Sequence, residues 1–343
     1  MVYFHGGGYI APSTPGHMKY QFALQKYLRK QGVDLSILSL SYVLAPKALH
    51  PSFIQQGLSA IMYLVEKTNR DPSTILIAGD SAGGNLVANL LLHLGHPHPD
   101  CTQYTLTKKL KGALMISPWI SFETDSPSFQ KNKHSDYLTK VALNKASAAF
   151  IGPGAKHDAY SQPLDAPVSW WTEVAEKAVQ HVLIWGGGGE VLIDGIKKFA
   201  ANVISGFEEA ADVVEKKNRI LRTTTAEVEK EHPQIDTRAK LVVSPREAHE
   251  EMIINYLFYI KKEEDGGRQI KKWLVDVLTK KDETTVDEPT AKEVKDAVTE
   301  KKEGVLDTKE TIEKAEDTQE KQEKQDLAEE EKKKAAEAAA PIA

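Results

Sequence analysis

The sequence predicts an α/β fold, because strand-like and helix-like segments alternate around two glycine-rich turns. The first turn has the sequence HGGG at residues 5–8 and follows an apolar run at residues 2–4. The second has the sequence GDSAG at residues 79–83, between an apolar run at 75–78 and a helix-compatible run at 85–94. Strand, sharp turn and helix follow one another here, which is the local order of an α/β fold.

The second turn fits the pattern G-x-S-x-G, which places a serine on a strained turn with its hydroxyl exposed. Ser81 is the serine of this pattern, and Gly79 and Gly83 flank it. Glycine is needed at both flanks because a side chain there would collide with the neighbouring strand and helix. Ser81 is therefore the candidate nucleophile.

The first turn supplies flexible backbone whose N–H groups can point at a negatively charged oxygen. We expect Gly7 and Gly8, together with Ala82 after the serine, to donate such hydrogen bonds as an oxyanion hole, with Gly6 shaping the loop. The alternative interpretation is a flexible loop without a function. The occurrence of both turns in this order along the chain favours the oxyanion hole.

With these two turns the chain resembles the hormone-sensitive-lipase-like branch of the α/β-hydrolases. The matching segments are HGGGY at 5–9, SYVLAP at 41–46, GDSAGGN at 79–85, SPW at 117–119 and QPL at 162–164. The resemblance spans roughly residues 1–260, and its first half is the specific part. It implies a serine esterase with a mostly parallel sheet flanked by helices, acting on substrates similar to those of the steryl-acetate deacetylases of this branch.

Relative to that family, the chain begins only four residues before HGGG. We therefore expect it to lack the first two strands of the sheet and part of the helical cap, with residues 119–171 as the remaining cap region. Six strands are then predicted, at residues 2–4, 35–42, 74–78, 113–117, 181–185 and 240–244. The uncovered edge strand predicts association between chains and weak folding or activity of the chain alone.

The partners of Ser81 are expected in the order acid and then histidine along the chain. The apolar strand at 181–185 runs into GGGGEVLID, which places Glu190 at the position of the orienting acid and Asp194 on the next helical turn. Asp165, in the loop after the QPL segment, is a third candidate. A glutamate orients a histidine by the same logic as an aspartate. The alternative role for Glu190 is stabilisation of a helix N-terminus.

The last predicted strand is followed by PREAH at residues 245–249 and by an amphipathic helix predicted over 251–260. His249 therefore lies just beyond the strand, where the family has its base, although its flanking residues differ from the family pattern. As a general base, His249 would take the proton of Ser81 during attack on an ester carbonyl. The alternative for such a loop histidine is a solvated side chain.

The spacing of the relevant residues argues against a dinucleotide-binding, phosphate-binding or zinc site. The glycines at 186–189 lack the further glycine of a dinucleotide-binding loop, and no phosphate-binding G-x-x-x-x-G-K-[ST] pattern occurs. One loop carries four residues of metal-ligand type, but their spacing does not match zinc sites, so solvated side chains are predicted for His93, His96, His98 and Cys101. We therefore expect no cofactor, no metal and no nucleic-acid partner, and a small-molecule ester as the substrate.

One cysteine in 343 residues excludes an intrachain disulfide, and no apolar run approaches the ~20 residues of a membrane span. The composition is compatible with a cytoplasmic or endoplasmic-reticulum-associated enzyme. Membrane association would depend on an anchor upstream of Met1.

The chain divides into a predicted α/β-hydrolase domain at residues 1–280 and a charged low-complexity tail at 281–343. The tail has 20 Asp and Glu against 12 Lys and Arg, a net charge of −8, and no aromatic residue, so it cannot bury a core. We expect it to be disordered or a solvated helix, with no partner identified by its sequence. A second charged stretch, at 208–237, is predicted to be a surface insertion between the acid and the histidine.

Taken together, these residues predict a serine hydrolase that cleaves carboxylic esters through an acyl-enzyme on Ser81. The alternative is a non-catalytic relative of the same fold that binds a small hydrophobic ligand in the pocket. The presence of all three residue types, Ser81, Glu190 and His249, favours the hydrolase.

Overall fold

The structure is a computed structural model that describes residues 1–222, 238–260, 262 and 264–280. The charged tail predicted at 281–343 lies outside the described residues. The stretch predicted as an insertion at 208–237 is described only as far as residue 222, where it continues the helix that precedes it.

Six strands form one parallel sheet within the described residues, in the spatial order β2-β1-β3-β4-β5-β6. In chain order they are β1 (Val2–Phe4), β2 (Leu38–Leu40), β3 (Leu76–Asp80), β4 (Gly112–Ile116), β5 (Val182–Gly187) and β6 (Ala239–Ser244). The α/β fold and the parallel sheet predicted from the sequence are thus confirmed. Two strand lengths were wrong: β2 keeps only three residues of its predicted run, and β3 continues to Asp80.

Helices cover both faces of the sheet. They are α1 (Pro15–Lys30), α2 (Ser52–Met62), α3 (Ala82–Gly95), α4 (Pro127–Lys131), α5 (Lys140–Ile151), α6 (Val168–Lys177), α7 (Ile193–Arg222), α8 (Glu251–Leu257) and α9 (Asp265–Thr279). A π-helical turn at Tyr63–Lys67 continues α2, and short 3₁₀ turns lie at Pro72–Thr74 and Pro163–Asp165.

The sheet separates two apolar cores because successive side chains of a strand point to opposite faces. In β1, Val2 and Phe4 enter the core shared with α2, α3, α6 and α7, whereas Tyr3 enters the core shared with α1, α8 and α9. Every residue of β3, β4 and β5 is buried, as expected for strands covered on both faces. Helix α3 is also buried along its whole length, which explains its nearly uninterrupted apolar sequence.

Helix α8 ends at Leu257, three residues before the end of the predicted helix at residue 260. The chain leaves the helix there because Tyr259 adopts a left-handed backbone with φ 59°. In the part of the chain that the structure describes, no helix has both the length and the apolar character needed to cross a bilayer.

Candidate active site

Ser81 occupies a sharp turn between the end of β3 and the start of α3. Its backbone has φ 48° and ψ −114°, a region that is strained for a residue with a Cβ atom. The Ser81 N–H donates to the Ile116 carbonyl of β4 at 2.9 Å, which holds the turn against the sheet. The turn therefore presents Ser81 at the carboxyl edge of the sheet, where loops from several strands converge.

The turn depends on backbones that touch without intervening side chains. A Cβ atom on Gly83 would overlap the Phe4 carbonyl of β1, and one on Gly79 would overlap the Gly83 carbonyl. Helix α3 can therefore begin directly against β1 and β3 only because glycine stands at both positions.

The HGGG loop follows β1 and runs beside this turn. Gly7, Gly8 and Tyr9 have successive positive φ angles of 109°, 60° and 62°, so the chain coils back on itself at this point. The N–H groups of Gly7 and Gly8 donate to no acceptor in the part of the chain that the structure describes. Ala82 is the first residue of α3, and an N–H at that position has no partner within its own helix. These three N–H groups are free to bind an anion.

Gly6 differs from the other glycines of the loop. Its N–H donates to Oδ2 of Asp80 at 2.8 Å, so this group is already occupied and is not an oxyanion donor. The same oxygen accepts from Nε2 of His17 on α1 at 3.1 Å, and the other carboxylate oxygen accepts from the Tyr3 hydroxyl at 2.7 Å. Asp80, directly before the nucleophile, thus fastens the HGGG loop to the sheet and to α1, and Gly6 shapes the loop.

Glu190 and His249 lie together after the ends of β5 and β6. Nδ1 of His249 donates to Oε2 of Glu190 at 2.8 Å, and both side chains are fully buried. This bond fixes the proton of the neutral imidazole on Nδ1 and leaves Nε2 as the atom that can accept a proton.

The second oxygen of Glu190 is also held. Its Oε1 accepts from the Gly187 N–H at 2.6 Å and from the Ser117 hydroxyl at 3.2 Å. Ser117 has a left-handed backbone with φ 44°, and its oxygen accepts from the Glu250 N–H at 3.2 Å. One buried hydroxyl after β4 therefore joins the acid loop to the histidine loop.

No hydrogen bond joins the Ser81 hydroxyl to His249 within the described residues. Nε2 of His249 instead lies 3.5 Å from Oε1 of Glu250. That oxygen and Oδ2 of Asp80 would both collide with a Cβ atom placed on Gly6, so the two carboxyl groups lie side by side next to the serine turn. The imidazole is thus near the turn, with a carboxyl group facing its reactive nitrogen.

The carboxyl groups of the site have displaced pKa values. Burial raises the pKa of Glu190 above its ordinary value, despite the opposing hydrogen bond with His249. Burial and the neighbouring Asp80 raise the pKa of Glu250 to about 8. For His249, burial lowers the pKa, but the Glu250 and Glu190 carboxylates outweigh it and raise the pKa to about 9. Asp80 keeps a pKa below its ordinary value, because contacts with His17 outweigh the effect of burial.

The two other acids that the sequence leaves open lie elsewhere. Oδ2 of Asp194, on α7, accepts from the Ser128 N–H at 2.8 Å and so holds the start of α4. Oδ2 of Asp165 accepts from the Gln162 side chain at 2.7 Å. In the described residues neither carboxylate contacts His249, so Glu190 is the acid that the structure brings to the histidine.

Asn85, one turn into α3, connects the parts of the site. Its Oδ1 accepts from the Tyr9 hydroxyl at 2.6 Å, and its Nδ2 donates to the carbonyls of Trp119 and Ser161 at 2.9 and 3.0 Å. This buried amide joins the HGGG loop, the loop after β4 and the segment before α6 to the helix that carries Ser81.

The solvated state predicted for the loop after α3 was wrong for three of its four residues, because His93, His98 and Cys101 are buried. His98 lies with His50 against the carboxylate of Asp158, at Nε2–Oδ2 distances of 3.6 Å for His98 and 3.0 Å for His50. The potential ligand atoms of these three residues, two histidines and one aspartate, lie within 4.8 Å of one another and resemble a metal site. However, Nδ1 of His98 accepts from the Asp100 N–H at 3.0 Å, so the proton lies on Nε2, which then cannot coordinate a metal. We refer to His50, His98 and Asp158 as a clasp, because they connect segments that are distant in the chain.

The other members of that loop are also engaged. His93 is buried, with Nε2 donating to the Thr102 carbonyl at 2.9 Å. His96 stacks on Trp170 with 4.0 Å between ring centroids and stays partly exposed. Cys101 is buried, and burial raises its pKa to about 11, so it is an unreactive thiol.

Sequence reasoning assigned no role to Asp80, Ser117 or Glu250. Asp80 is the variable position of G-x-S-x-G, and Ser117 was noted only as part of the SPW segment. A buried acid next to the base had one available signal, since Glu250 follows His249 in the chain. Its approach to Asp80, 170 residues earlier, depends on the fold.

Known proteins are similar to this chain in sequence. The family described as alpha/beta hydrolase fold matches residues 1–220. Probable carboxylesterase 6 of Arabidopsis thaliana is 30% identical over 155 residues, covering 43% of this chain and 43% of the relative. Arylacetamide deacetylase of Bos taurus is 32% identical over 149 residues, covering 42% of this chain and 35% of the relative. Steryl acetyl hydrolase 1 of Saccharomyces cerevisiae is 24% identical over 201 residues, covering 56% and 45%. The chain spans less than half the length of each of these relatives.

Solved structures agree on the fold. An esterase from the bacterial hormone-sensitive lipase family superimposes with a TM-score of 0.58 at 22% identity, covering 81% of this chain and 76% of the other. A hormone-sensitive lipase from a metagenome library gives a TM-score of 0.58 at 21% identity, covering 80% and 77%.

Proposed function

This chain belongs to the α/β-hydrolase family, and from that premise we propose that it hydrolyses carboxylic esters through an acyl-enzyme formed on Ser81. The observation that carries the proposal is the buried hydrogen bond between Glu190 and His249, close to a serine on a strained turn. A carboxylate, an imidazole and a serine in this relation are the parts that nucleophilic acyl transfer needs.

In the first half of the reaction, Oγ of Ser81 attacks the ester carbonyl carbon while Nε2 of His249 takes the hydroxyl proton. Glu190 keeps the imidazole oriented and stabilises its positive charge through Nδ1. The tetrahedral intermediate then collapses: the bond to the alcohol oxygen breaks, and His249 returns its proton to the leaving alcohol. This leaves an acyl group on Ser81.

In the second half, a water molecule attacks the acyl carbon and gives a proton to His249. The second tetrahedral intermediate releases the carboxylic acid, and Ser81 regains its proton. In both intermediates the negative oxygen would accept hydrogen bonds from the N–H groups of Gly7, Gly8 and Ala82. Each such donor typically lowers the barrier by about 3 kcal/mol.

The site and the relatives together support a proposal for the substrate class. The names of the relatives include a carboxylesterase, an arylacetamide deacetylase and a steryl acetyl hydrolase, which share removal of an acyl group. The free N–H groups of Gly7, Gly8 and Ala82 fit the removal of an acyl group from a neutral ester, because they can bind the negative oxygen that forms during the reaction. We therefore place the substrate among esters with a short acyl group and an apolar alcohol.

The test is hydrolysis of p-nitrophenyl acetate and butyrate by the full chain and by Ser81→Ala. We expect the substitution to lower kcat by about 10³-fold or more, because no nucleophile remains. Ser59→Ala is a matched control, since Ser59 is exposed on α2 and, among the described residues, its hydroxyl bonds only to the Gln55 carbonyl of its own helix. If Ser81→Ala keeps the activity of the unmodified chain, the hydrolase proposal is wrong, and binding of a small hydrophobic ligand becomes the better interpretation.

A further inference from the structure

A second carboxyl group faces the catalytic side of His249. Oε1 of Glu250 lies 3.5 Å from Nε2, on the side of the ring opposite Glu190. Both residues are buried, with 5% of Glu250 and 1% of His249 exposed. Within the described residues Oε1 of Glu250 accepts from no donor and lies beside Oδ2 of Asp80, so it is a buried carboxyl oxygen next to the nitrogen on which the proposed reaction depends.

The fold holds this carboxyl group in place. Glu250 has a left-handed backbone, with φ 52° and ψ 27°, and its N–H donates to Ser117 at 3.2 Å. Its other oxygen, Oε2, accepts from the Tyr137 hydroxyl at 3.1 Å. Glu250 is thus held at its backbone N–H and at its side-chain oxygen. A residue with a strained backbone that is held in this way commonly marks a functional position.

We propose that Glu250 is a positioning residue that competes with Ser81 for Nε2 of His249 and so limits ester hydrolysis while the imidazole is protonated. The inference rests on the proposed function. An ionised Glu250 next to a protonated imidazole forms a buried ion pair, and a protonated Nε2 cannot accept the Ser81 proton. Hydrolysis then requires loss of that proton, after which Nε2 is free to turn to the serine.

The charges around Glu250 set the pH range of this competition. The titratable groups that face it are Asp80 at the end of β3, His17 on α1, Tyr137 before α5 and His249 on its own loop, with Tyr3 and Tyr42 further away. Burial and Asp80 raise the pKa of Glu250 to about 8, and the two glutamates hold the pKa of His249 at about 9. The ion pair between ionised Glu250 and protonated His249 therefore forms between about pH 8 and pH 9, and below that range His249 stays mostly protonated.

The test compares the pH dependence of kcat/KM for the unmodified chain and for Glu250→Gln, which keeps the shape and removes the charge. In Glu250→Gln we expect the rising limb of the kcat/KM profile to move to lower pH by at least about one unit. This shift raises kcat/KM about tenfold at pH 7, because each unit changes the fraction of neutral imidazole tenfold. Glu176→Gln, an exposed glutamate on α6, is the matched control and should leave the limb in place.

A second readout does not depend on turnover. The NMR signal of a His249 ring carbon is followed through a pH titration. The signal is assigned by its loss in His249→Gln. We expect the pKa of His249 to be at least about one unit lower in Glu250→Gln. Circular dichroism verifies folding, and Glu250→Ala replaces the glutamine variant if that variant is unfolded.

The outcomes separate the two proposals. An unchanged titration of His249 and an unchanged rising limb would overturn the role of Glu250, even where Ser81→Ala abolishes hydrolysis. Activity that survives Ser81→Ala would instead overturn the proposed function. A lower kcat/KM for Glu250→Gln at every pH would also contradict competition, because it would make Glu250 supportive of the reaction.

Discussion

Glu190→Gln and Asp194→Asn form a matched pair that tests which acid orients the histidine. Oε1 of Glu190 accepts from two donors, Gly187 and Ser117, while Oε2 accepts from Nδ1 of His249. A glutamine offers only one acceptor oxygen, and the two donors on Oε1 would claim it. Its NH₂ group would then face Nδ1 of His249, which must become an acceptor.

The consequence is a wrong tautomer. With Nδ1 as the acceptor, the proton of the neutral imidazole moves to Nε2, and that nitrogen can no longer take a proton from Ser81. A change of this kind lowers kcat by about 10⁴-fold in serine hydrolases, which corresponds to about 5 kcal/mol in the barrier. Asp194→Asn keeps an acceptor oxygen for the Ser128 N–H, so we expect kcat within about threefold of the unmodified chain.

The assay is kcat for p-nitrophenyl butyrate from pH 6 to pH 10, so that a shifted pH profile is not mistaken for a lost activity. A circular dichroism spectrum of each variant verifies the fold. The reasoning is refuted if Glu190→Gln retains kcat within tenfold of the unmodified chain, or if Asp194→Asn is the more damaging change.

Two further predictions concern stability. Gly83→Ala should lower the free energy of unfolding by about 3 kcal/mol or more, because its Cβ meets the fixed carbonyl of Phe4, whereas Gly267→Ala on α9 meets open space and should raise it by about 0.5–1 kcal/mol. Urea unfolding measures both, and equal effects would contradict the steric argument. The folded chain binds protons more tightly than the unfolded chain at Glu250 and His249, so thermal stability should fall as pH rises from about 4.5 through 8 and on to 9. Calorimetry of Glu250→Gln should show a flatter profile over the lower part of this range, and a profile as steep as that of the unmodified chain would contradict the burial of an ionisable Glu250.

The sequence predicted the features that are local. The family was identified from two short turns and is confirmed, as is the parallel sheet. Ser81 could be singled out because the glycines that its turn requires lie two residues away on either side. Glu190 and His249 could be placed by their positions after strands, and the distance between them in the structure is consistent with the predicted roles.

What the sequence missed depends on contacts between distant segments. The clasp of His50 and His98 on Asp158 joins residues as much as 108 positions apart, so the loop composition alone suggested solvated side chains. The approach of Glu250 to Asp80 has the same origin. In both cases a carboxylate contacts donors or charged groups from distant parts of the chain, which no local pattern reveals.

The amide of Asn85 has a consequence for how large molecules could reach the serine. The Ser161 carbonyl accepts from this amide at 3.0 Å inside the core. Moving the Ser161 segment away would leave one N–H of the buried Asn85 amide without a hydrogen-bond partner, which costs about 1–3 kcal/mol of free energy. The segment is therefore held in place beside the helix that carries the serine. Bulky alcohol groups would instead have to displace Tyr137, which is half-exposed and whose ring centroid lies 5.7 Å from that of His249. Selection among esters by size would then depend on how readily the Tyr137 side chain moves, and because its hydroxyl bonds to Glu250, substitutions there should change both which alcohols are accepted and the pH dependence of hydrolysis.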